Sequence, residues 1–476
     1  MRRVNKENKY NGIKAGVWYT IGNMLIKGIP FLTIPLFTRL LTTDDFGIYN
    51  TYISYENILS IAIGLGISGS IKVAKFDFKE NFDRYVSSVF QLLLMVGGGG
   101  LLLINTIFTL IDFSNVWMST LVLNLLVIQS IASAIYGIMG CKYVIEGQYV
   151  QNLVIAFVMT GINVGTSIFL CFFFLSGDRS TARITGTAVG TICVAIYILF
   201  LQSRKAKLKR YKAANKYALR LGMPLLPHQF SVSLLSQCDK IMIQAMVGNS
   251  EAGIYGLAVN ITMVLSVIMT SIDNAWTPWF YSLLGKKDYK TLIRKNNLLI
   301  IFFMYISCVF LLIGPDIIHI MTESDYWDSI YAFIPLTIAV FLNFMYIFSV
   351  GVEYFMKKTG YISVTTLMCM TANIIFNYFM IKKFGYIAAA YATCISKLLL
   401  FILHYIRCKK LLTEKVISLK YLLGTLLIVC ITGSCTALFI NYLLIRYLII
   451  AAITLTIIII SKKSGILDKF IKKSLL

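Results

Sequence analysis

The stretch GVWYTIGNMLIKGIPFLTIPLFTRL (16–40) runs into Asp45-Phe46-Gly47-Ile48-Tyr49 and decides the fold. It has the length of a membrane span, for which about 20 mostly apolar residues suffice. Yet Lys27 sits near its middle. A variant of its ending, Glu251-Ala252-Gly253-Ile254-Tyr255, returns 206 residues later. An ionisable group inside an apolar span is a functional candidate, and the repeated ending points to an internally duplicated chain.

The 476 residues are 58% hydrophobic and 14% charged, whereas a soluble domain carries roughly 25% charged residues. Fourteen apolar segments read as spans: 16–38, 47–71, 85–111, 115–140, 149–175, 184–202, 219–247, 252–283, 297–315, 329–355, 361–381, 386–406, 421–440 and 443–461. An outer-membrane barrel would alternate over roughly ten-residue segments. The expected fold is therefore an all-α polytopic membrane protein. The basic tail 1–14 precedes a span-length segment without a small-residue cleavage site, so the first span is expected to stay.

The net charge of +23 reads as topology. With the N-terminus in the cytoplasm, 35 of the 44 lysines and arginines fall on the cytoplasmic side, 6 outside and 3 within spans. That asymmetry sets the orientation and puts both termini in the cytoplasm. Lys142 counts as inside in this tally; Arg39, Arg179, Arg183 and Arg446 count as outside, and Asp316–Asp328 reads as an acidic outer stretch. Because the charges lie in loops between spans, no nucleic-acid partner is expected. Ten cysteines without a CxxC pair and three scattered histidines (His228, His319, His404) give no metal-ligand spacing.

The densest basic loop, 203–218, divides the chain into 1–202 and 219–410, six spans each, followed by a final helix pair and basic tail at 411–476. Besides the Gly-Ile-Tyr echo, Met159-Thr160-Gly161-Ile162-Asn163 matches Met370-Thr371-Ala372-Asn373, and Thr191-Ile192-Cys193 matches Thr393-Cys394-Ile395. Six spans per half makes the repeats parallel, which predicts two six-helix bundles with a substrate cavity at their interface.

Lys27, too deep to snorkel easily, either pairs with a carboxylate or lines a cavity for an anionic head group; Lys397 lies similarly deep. Asp239 and Lys240 are adjacent, so about 100° of helix rotation separates them and at least one faces the interior. Asp239 either pairs with a lysine or carries a proton or sodium ion. Asp273 is the leading candidate for an ion-coupling carboxylate, with a helix–helix hydrogen bond as the alternative; Glu56 and Glu353 are weaker. Pro30 and Pro35 in span one, and Pro224 and Pro227 in span seven, are candidate hinges. Gly161-x-x-x-Gly165 and Gly186-x-x-x-Gly190 predict close helix packing. Trp276, Trp279 and Tyr281 around Pro278 read as an interfacial belt, or as faces for sugar rings. No P-loop, Gly-x-Ser-x-Gly or His-Glu-x-x-His occurs, so neither an enzyme nor a bound cofactor is expected, and coupling to H+ or Na+ stays open.

Three further strings carry a resemblance: Pro35-Leu36-Phe37-Thr38-Arg39-Leu40-Leu41, Asn274-Ala275-Trp276-Thr277-Pro278-Trp279, and Asn373-Ile374-Ile375-Phe376-Asn377-Tyr378 followed by Gly385-Tyr386. With Asp239-Lys240-Ile241 and the two Gly-Ile-Tyr endings, they resemble the bacterial O-antigen and capsule repeat-unit flippases of the multidrug/oligosaccharidyl-lipid/polysaccharide flippase superfamily. Ala388-Ala389-Ala390 departs from the Gly-Ala pair usual there. The resemblance implies a V of two bundles in the bacterial plasma membrane that moves undecaprenyl-diphosphate-linked oligosaccharide outward, possible contact with other polysaccharide-assembly membrane proteins, and a cationic cavity served by Lys27, Arg39, Lys240 and Lys397. The rivals are a multidrug/cation antiporter of the same architecture, which favours acidic and aromatic cavities, and a membrane-embedded polysaccharide polymerase, which needs a large outer loop.

Overall fold

The computed structural model describes residues 31–110, 119–412 and 414–463. These form helices α1 (Ile34–Leu40), α2 (Thr43–Gly64), α3 (Ser68–Phe78), α4 (Phe82–Leu110), α5 (Thr120–Ile145), α6 (Tyr149–Phe173), α7 (Arg179–Lys205) and α8 (Lys212–Gly222). There follow α9 (Leu226–Met246), α10 (Asn249–Gly285), α11 (Tyr289–Met321), α12 (Ser329–Phe355), α13 (Thr359–Phe384), α14 (Ile387–Leu411), α15 (Leu419–Leu438) and α16 (Leu443–Lys463). No strand occurs among the described residues. Lipid offers no partner for free backbone groups, so apolar spans satisfy them internally as helices. The fold is an all-α polytopic membrane fold, and beyond the first expected span, which lies mostly outside the described residues, each expected span falls on these helices.

Two spans are broken rather than continuous. Between α2 and α3 the chain turns through Leu65 and Gly66, both in the left-handed region (φ 48° and 66°). Between α8 and α9 it turns through Met223, Pro224 and Leu225, and Pro227 occupies the first turn of α9, where a proline forfeits no helical hydrogen bond. Pro35 sits likewise in the first turn of α1. The two breaks meet: a Cβ on Gly66 would lie 2.5 Å from the Gly222 carbonyl oxygen, and one on Gly222 would lie 2.6 Å from that of Leu65. Outside the spans, Tyr217 on α8 donates to Asp77 on α3. Desolvation and that carboxylate push its phenol up to about 12.

The other end of α2 carries the repeated motif. Thr42 and Asp45 form a reciprocal capping box, with Asp45 N donating to Thr42 Oγ1 and Thr42 N to Asp45 Oδ2, each at 3.2 Å. Here the two copies of Gly-Ile-Tyr pack on each other. A Cβ on Gly47 would lie 1.8 Å from the Asn249 carbonyl oxygen, and one on Gly253 would lie 2.1 Å from that of Thr43. The Thr43 and Ser250 hydroxyls hydrogen-bond at 2.7 Å beside them. Between the two ends, α9 lies along α2.

The chain forms two compact units, one of residues 1–256 with 366–389 and one of 257–365 with 390–476. Compactness records packing, whereas the repeat relates sequences, so the division into halves is a separate matter. In the first unit the core centres on α4 and α5, with Tyr85, Phe90, Ile135 and Ile138 buried. Gly186 and Gly190 hold α7 against Ser167 and Asn163 of α6, while Gly161 and Gly165 face open space. The close packing expected of both motifs is thus made by one.

Three charges read as loop residues are buried in helices instead. Arg446, 2% exposed on α16, makes a bidentate pair with Asp316 (2.9 and 2.5 Å) and donates to the Leu312 carbonyl. The acidic outer stretch accordingly begins later than expected, because α11 continues through Met321. Lys142, fully buried, pairs with Asp83 and donates to Gln202 Oε1 at 2.8 Å. Arg183 is inserted between the Phe37 and Tyr49 rings at 3.6 and 4.7 Å and donates to Ser167 Oγ. Each is a long side chain near a span end that found a partner inside, which a count by sequence position cannot register.

Two expectations follow. Gly253→Ala and Gly47→Ala overpack the seam and each cost about 1–3 kcal/mol or more, read as a lower melting temperature in detergent; Gly98→Ala, where a Cβ meets open space, leaves it unchanged or raised. Asp316→Ala strands a buried guanidinium and costs about 3–5 kcal/mol, and replacing Asp316 and Arg446 together with leucines recovers most of that loss.

Candidate functional site

Asp239 on α9 lies within the first unit, 5% exposed. Tyr255 on α10 donates to its Oδ2 at 2.7 Å, and Asn377 on α13 donates to its Oδ1 at 2.6 Å. Asn377 also donates to Asn373 Oδ1 at 3.2 Å, as does the Cys238 thiol at the same distance. Helical geometry explains the gathering: Asn373 and Asn377 are four apart and share one face of α13. A carboxylate, the Asn373 carboxamide oxygen, the Asn377 amide nitrogen and a phenol thus converge at one buried point. The Tyr255 phenol and the Asn377 carboxamide thus each occupy one of its two carboxylate oxygens.

Lys240 follows on the next turn position, also 5% exposed. It makes no ion pair among the described residues, and the one opposite charge acting on it there is Asp239. The other expected cations are spread over separate elements. Arg39 is exposed at the end of α1 and Lys397 is half-buried on α14. Lys27 and Pro30 lie outside the described residues. Glu56 on α2 is buried and hydrogen-bonded to Ser133, and its Oε1 has no hydrogen-bond partner among the described residues. Close by, a cavity of about 160 Å³ at the α2–α3 break is lined by Gly64, Gly66, Ser133 and Gln229.

The second unit holds a larger cavity of about 460 Å³. Asp273, Asn274, Trp276, Tyr281, Tyr346 and Tyr354 contribute to its walls. Asp273 accepts from Thr277 at 2.9 Å and has no ion pair among the described residues. The Trp276 indole donates to Asn296, which anchors on the Val416 carbonyl, and Lys295 sits over the Trp276 ring at 5.9 Å. Trp279, by contrast, is 62% exposed. The Trp-Thr-Pro-Trp string therefore splits into one cavity wall and one surface aromatic.

Glu353 of α12 and His404 of α14, both with fully buried side chains, hydrogen-bond at 2.7 Å. Sequence reasoning placed Glu353 among the weaker candidates and gave His404 no role. Residues 51 apart on two spans carry no local signal that they touch. Asn377 and Tyr255 entered only through short strings and were given no function, since a neutral residue in a span draws no attention.

The model of the family described as polysaccharide biosynthesis protein matches residues 13–284. The chain is 22% identical to "Lsg locus putative protein 1" of Haemophilus influenzae over 362 residues, 74% of this chain and 86% of that protein. It is 24% identical to an uncharacterized membrane protein of the same organism over 367 residues, 75% of this chain and 87% of that one. Among solved structures it is similar to an inward-facing MATE family multidrug resistance transporter of the MOP superfamily (TM-score 0.63, 15% identity, 82% of this chain and 98% of that one). It is also similar to a MOP superfamily transporter from Pyrococcus furiosus (TM-score 0.54, 14% identity, 84% and 96%). These likenesses extend the fold over most of the chain. With more than half of its length matched by the family model, the chain belongs to the polysaccharide biosynthesis protein family.

Proposed function

We propose that the protein carries undecaprenyl-diphosphate-linked oligosaccharide repeat units from the inner to the outer leaflet of the bacterial plasma membrane, by alternating access. Family membership supports a place in polysaccharide assembly, and the fold likeness supports a carrier rather than an enzyme. In this reading two six-span bundles, 1–202 and 219–410, are joined by the cytoplasmic linker 203–218, with the pair at 411–476 appended and both termini in the cytoplasm. Lys27, Arg39, Lys240 and Lys397 neutralise the diphosphate. The prolines at 30, 35, 224 and 227 border the bending points, and the Asp239 pocket takes up the coupling H+ or Na+.

The observation that carries this reading is the seam at Gly47 and Gly253. Alternating access needs a contact that is tight in one state and parted in the other. Here matching segments of the two sequence halves touch backbone to backbone, with one hydroxyl pair beside them. Beside it Asn50 lies against Gly256 and Asn249 donates to Asp44, so the seam is made of backbone and polar groups, which can part without repacking an apolar core. In this reading it is the outer seal.

A second reading has one observation in its favour. The cavity of the second unit is acidic and aromatic, the composition that suits an organic cation and hence a cation antiporter. Transport of a fluorescent organic cation by reconstituted vesicles, with no movement of lipid-linked oligosaccharide, would decide for it.

The test of the seal is a disulfide. Thr43→Cys with Ser250→Cys replaces hydroxyls 2.7 Å apart. Oxidation is expected to stop export and reduction to restore it; full export with the cross-link verified would sink the seal. Lys27→Ala, normally inserted, is expected to lower export about tenfold or more, the equivalent of about 1.4 kcal/mol of lost head-group affinity. Asp239→Asn keeps the size of the side chain and removes its charge, and is expected to abolish the dependence of export on an ion gradient.

A further inference from the structure

We infer that residues 204–220 form a docking surface for the anionic phospholipid head groups of the leaflet in which α7 ends. α7 is long and apolar enough to cross a membrane, and its apolar run closes at Phe200 and Leu201. From Arg204 to Arg220 the chain carries eight lysines and arginines and no Asp or Glu. All eight are exposed, and none forms an ion pair among the described residues. On the elements packed beneath, Asp77 is taken by Tyr217 and Asp83 by Lys142. Like charges at this density repel one another unless anions lie among them. The first of them, Arg204, is one helical turn past Phe200 and lies over that exposed ring at 4.8 Å. The cations therefore begin at head-group depth, where a basic cluster beside a span attracts acidic lipid.

Retaining charge on one side of a membrane requires only the charges. It does not require that they be held in place, and here they are held. On α8 the small residues Ala214, Ala218 and Gly222 are buried against α3 and α4. Lys212, Lys216 and Arg220 recur at the same four-residue spacing, two positions earlier each time, and so form one stripe on the opposite, exposed face. The strand of chain leading into α8 is clamped to α4. The buried Ser88 hydroxyl accepts from the Tyr211 N–H at 2.8 Å and donates to Asn215 Oδ1 at 2.7 Å, and Ser87 donates to the Ala206 carbonyl at 3.0 Å. Arg84 lies over the Tyr211 ring at 4.5 Å, and Tyr217 meets Phe78 edge-on at 5.2 Å. Tyrosines at the base and cations at the rim are the composition of a lipid–water interface. The result is a fixed platform of unpaired positive charge, complementary to a layer of phosphates rather than to one small anion.

The test is photolabelling of the full chain in phosphatidylcholine nanodiscs. Two probes are compared, phosphatidylglycerol and phosphatidylcholine, each carrying the same photoreactive group beside the glycerol, and labelled peptides are mapped by mass spectrometry. The anionic probe is expected to label 203–222 about fivefold or more over the neutral one, with the preference shrinking as salt is raised. Changing Lys212, Lys216 and Arg220 together to Gln leaves five cations in the stretch and is expected to cut the preference about threefold or more. Ser88→Ala keeps every charge but releases Tyr211 and Asn215, and is expected to lower the preference as well. Equal labelling by the two probes, or an undiminished preference in the triple variant, overturns the docking surface. An undiminished preference in Ser88→Ala overturns the fixed platform. Displacement of the probe by inorganic pyrophosphate at constant ionic strength overturns the lipid in favour of a soluble anion. No readout involves transport, so the result stands apart from the identity of the carried substrate.

Discussion

The structure of the first unit depends on α2 being held by backbone at both ends. At one end Gly47 meets Gly253; at the other the left-handed turn at Gly66 meets Gly222. Gly47 and Gly66 are 19 positions apart, roughly 28 Å at 1.5 Å per residue, close to the thickness of a hydrocarbon core. In lipid there is little hydrophobic drive between helices, so close approach through small residues supplies the attraction. Both contacts join helices from different sequence halves. Everything brought together in this unit, from the Asp239 pocket on α9 to the Gly-Ile-Tyr ends of α2 and α10, is positioned by that pairing.

The repeated motif takes its meaning from the contact. Asp45 caps its own helix, and Gly47 is required by the neighbouring backbone. Tyr49 and Tyr255 then diverge in use: Tyr49 stacks on the buried Arg183, while Tyr255 donates to Asp239. Both occurrences of the motif carry the glycine that the seam needs, and their tyrosines serve two different polar groups.

The spans, the helical class and the repeated endings were legible because lipid enforces them over twenty residues at a time, and a hydrophobic run leaves no alternative. The breaks at 65–67 and 223–225 were half legible: Pro224 and Pro227 marked the second, but nothing in Leu65-Gly66 announces a left-handed turn inside an apolar run. Charges were read by their place in the sequence, which cannot register Arg183, Lys142 and Arg446, whose partners lie on other helices. The same limit hid His404 and Asn377. Partners far apart in sequence are fixed by packing, and packing is not written in any one segment.

The buried charges sort by what satisfies them. Arg446 with Asp316, and Lys142 with Asp83, have opposite charges in direct contact, so their desolvation is offset and they can stay fixed. Asp239 accepts from Tyr255 and Asn377, and Lys240, one residue on, points about 100° away around the helix, so the two do not face each other as Arg446 and Asp316 do. The distinction therefore lies in geometry rather than in charge count: Arg446 and Lys142 meet their carboxylates head on, whereas Asp239 and Lys240, adjacent on one helix, are turned to different neighbours.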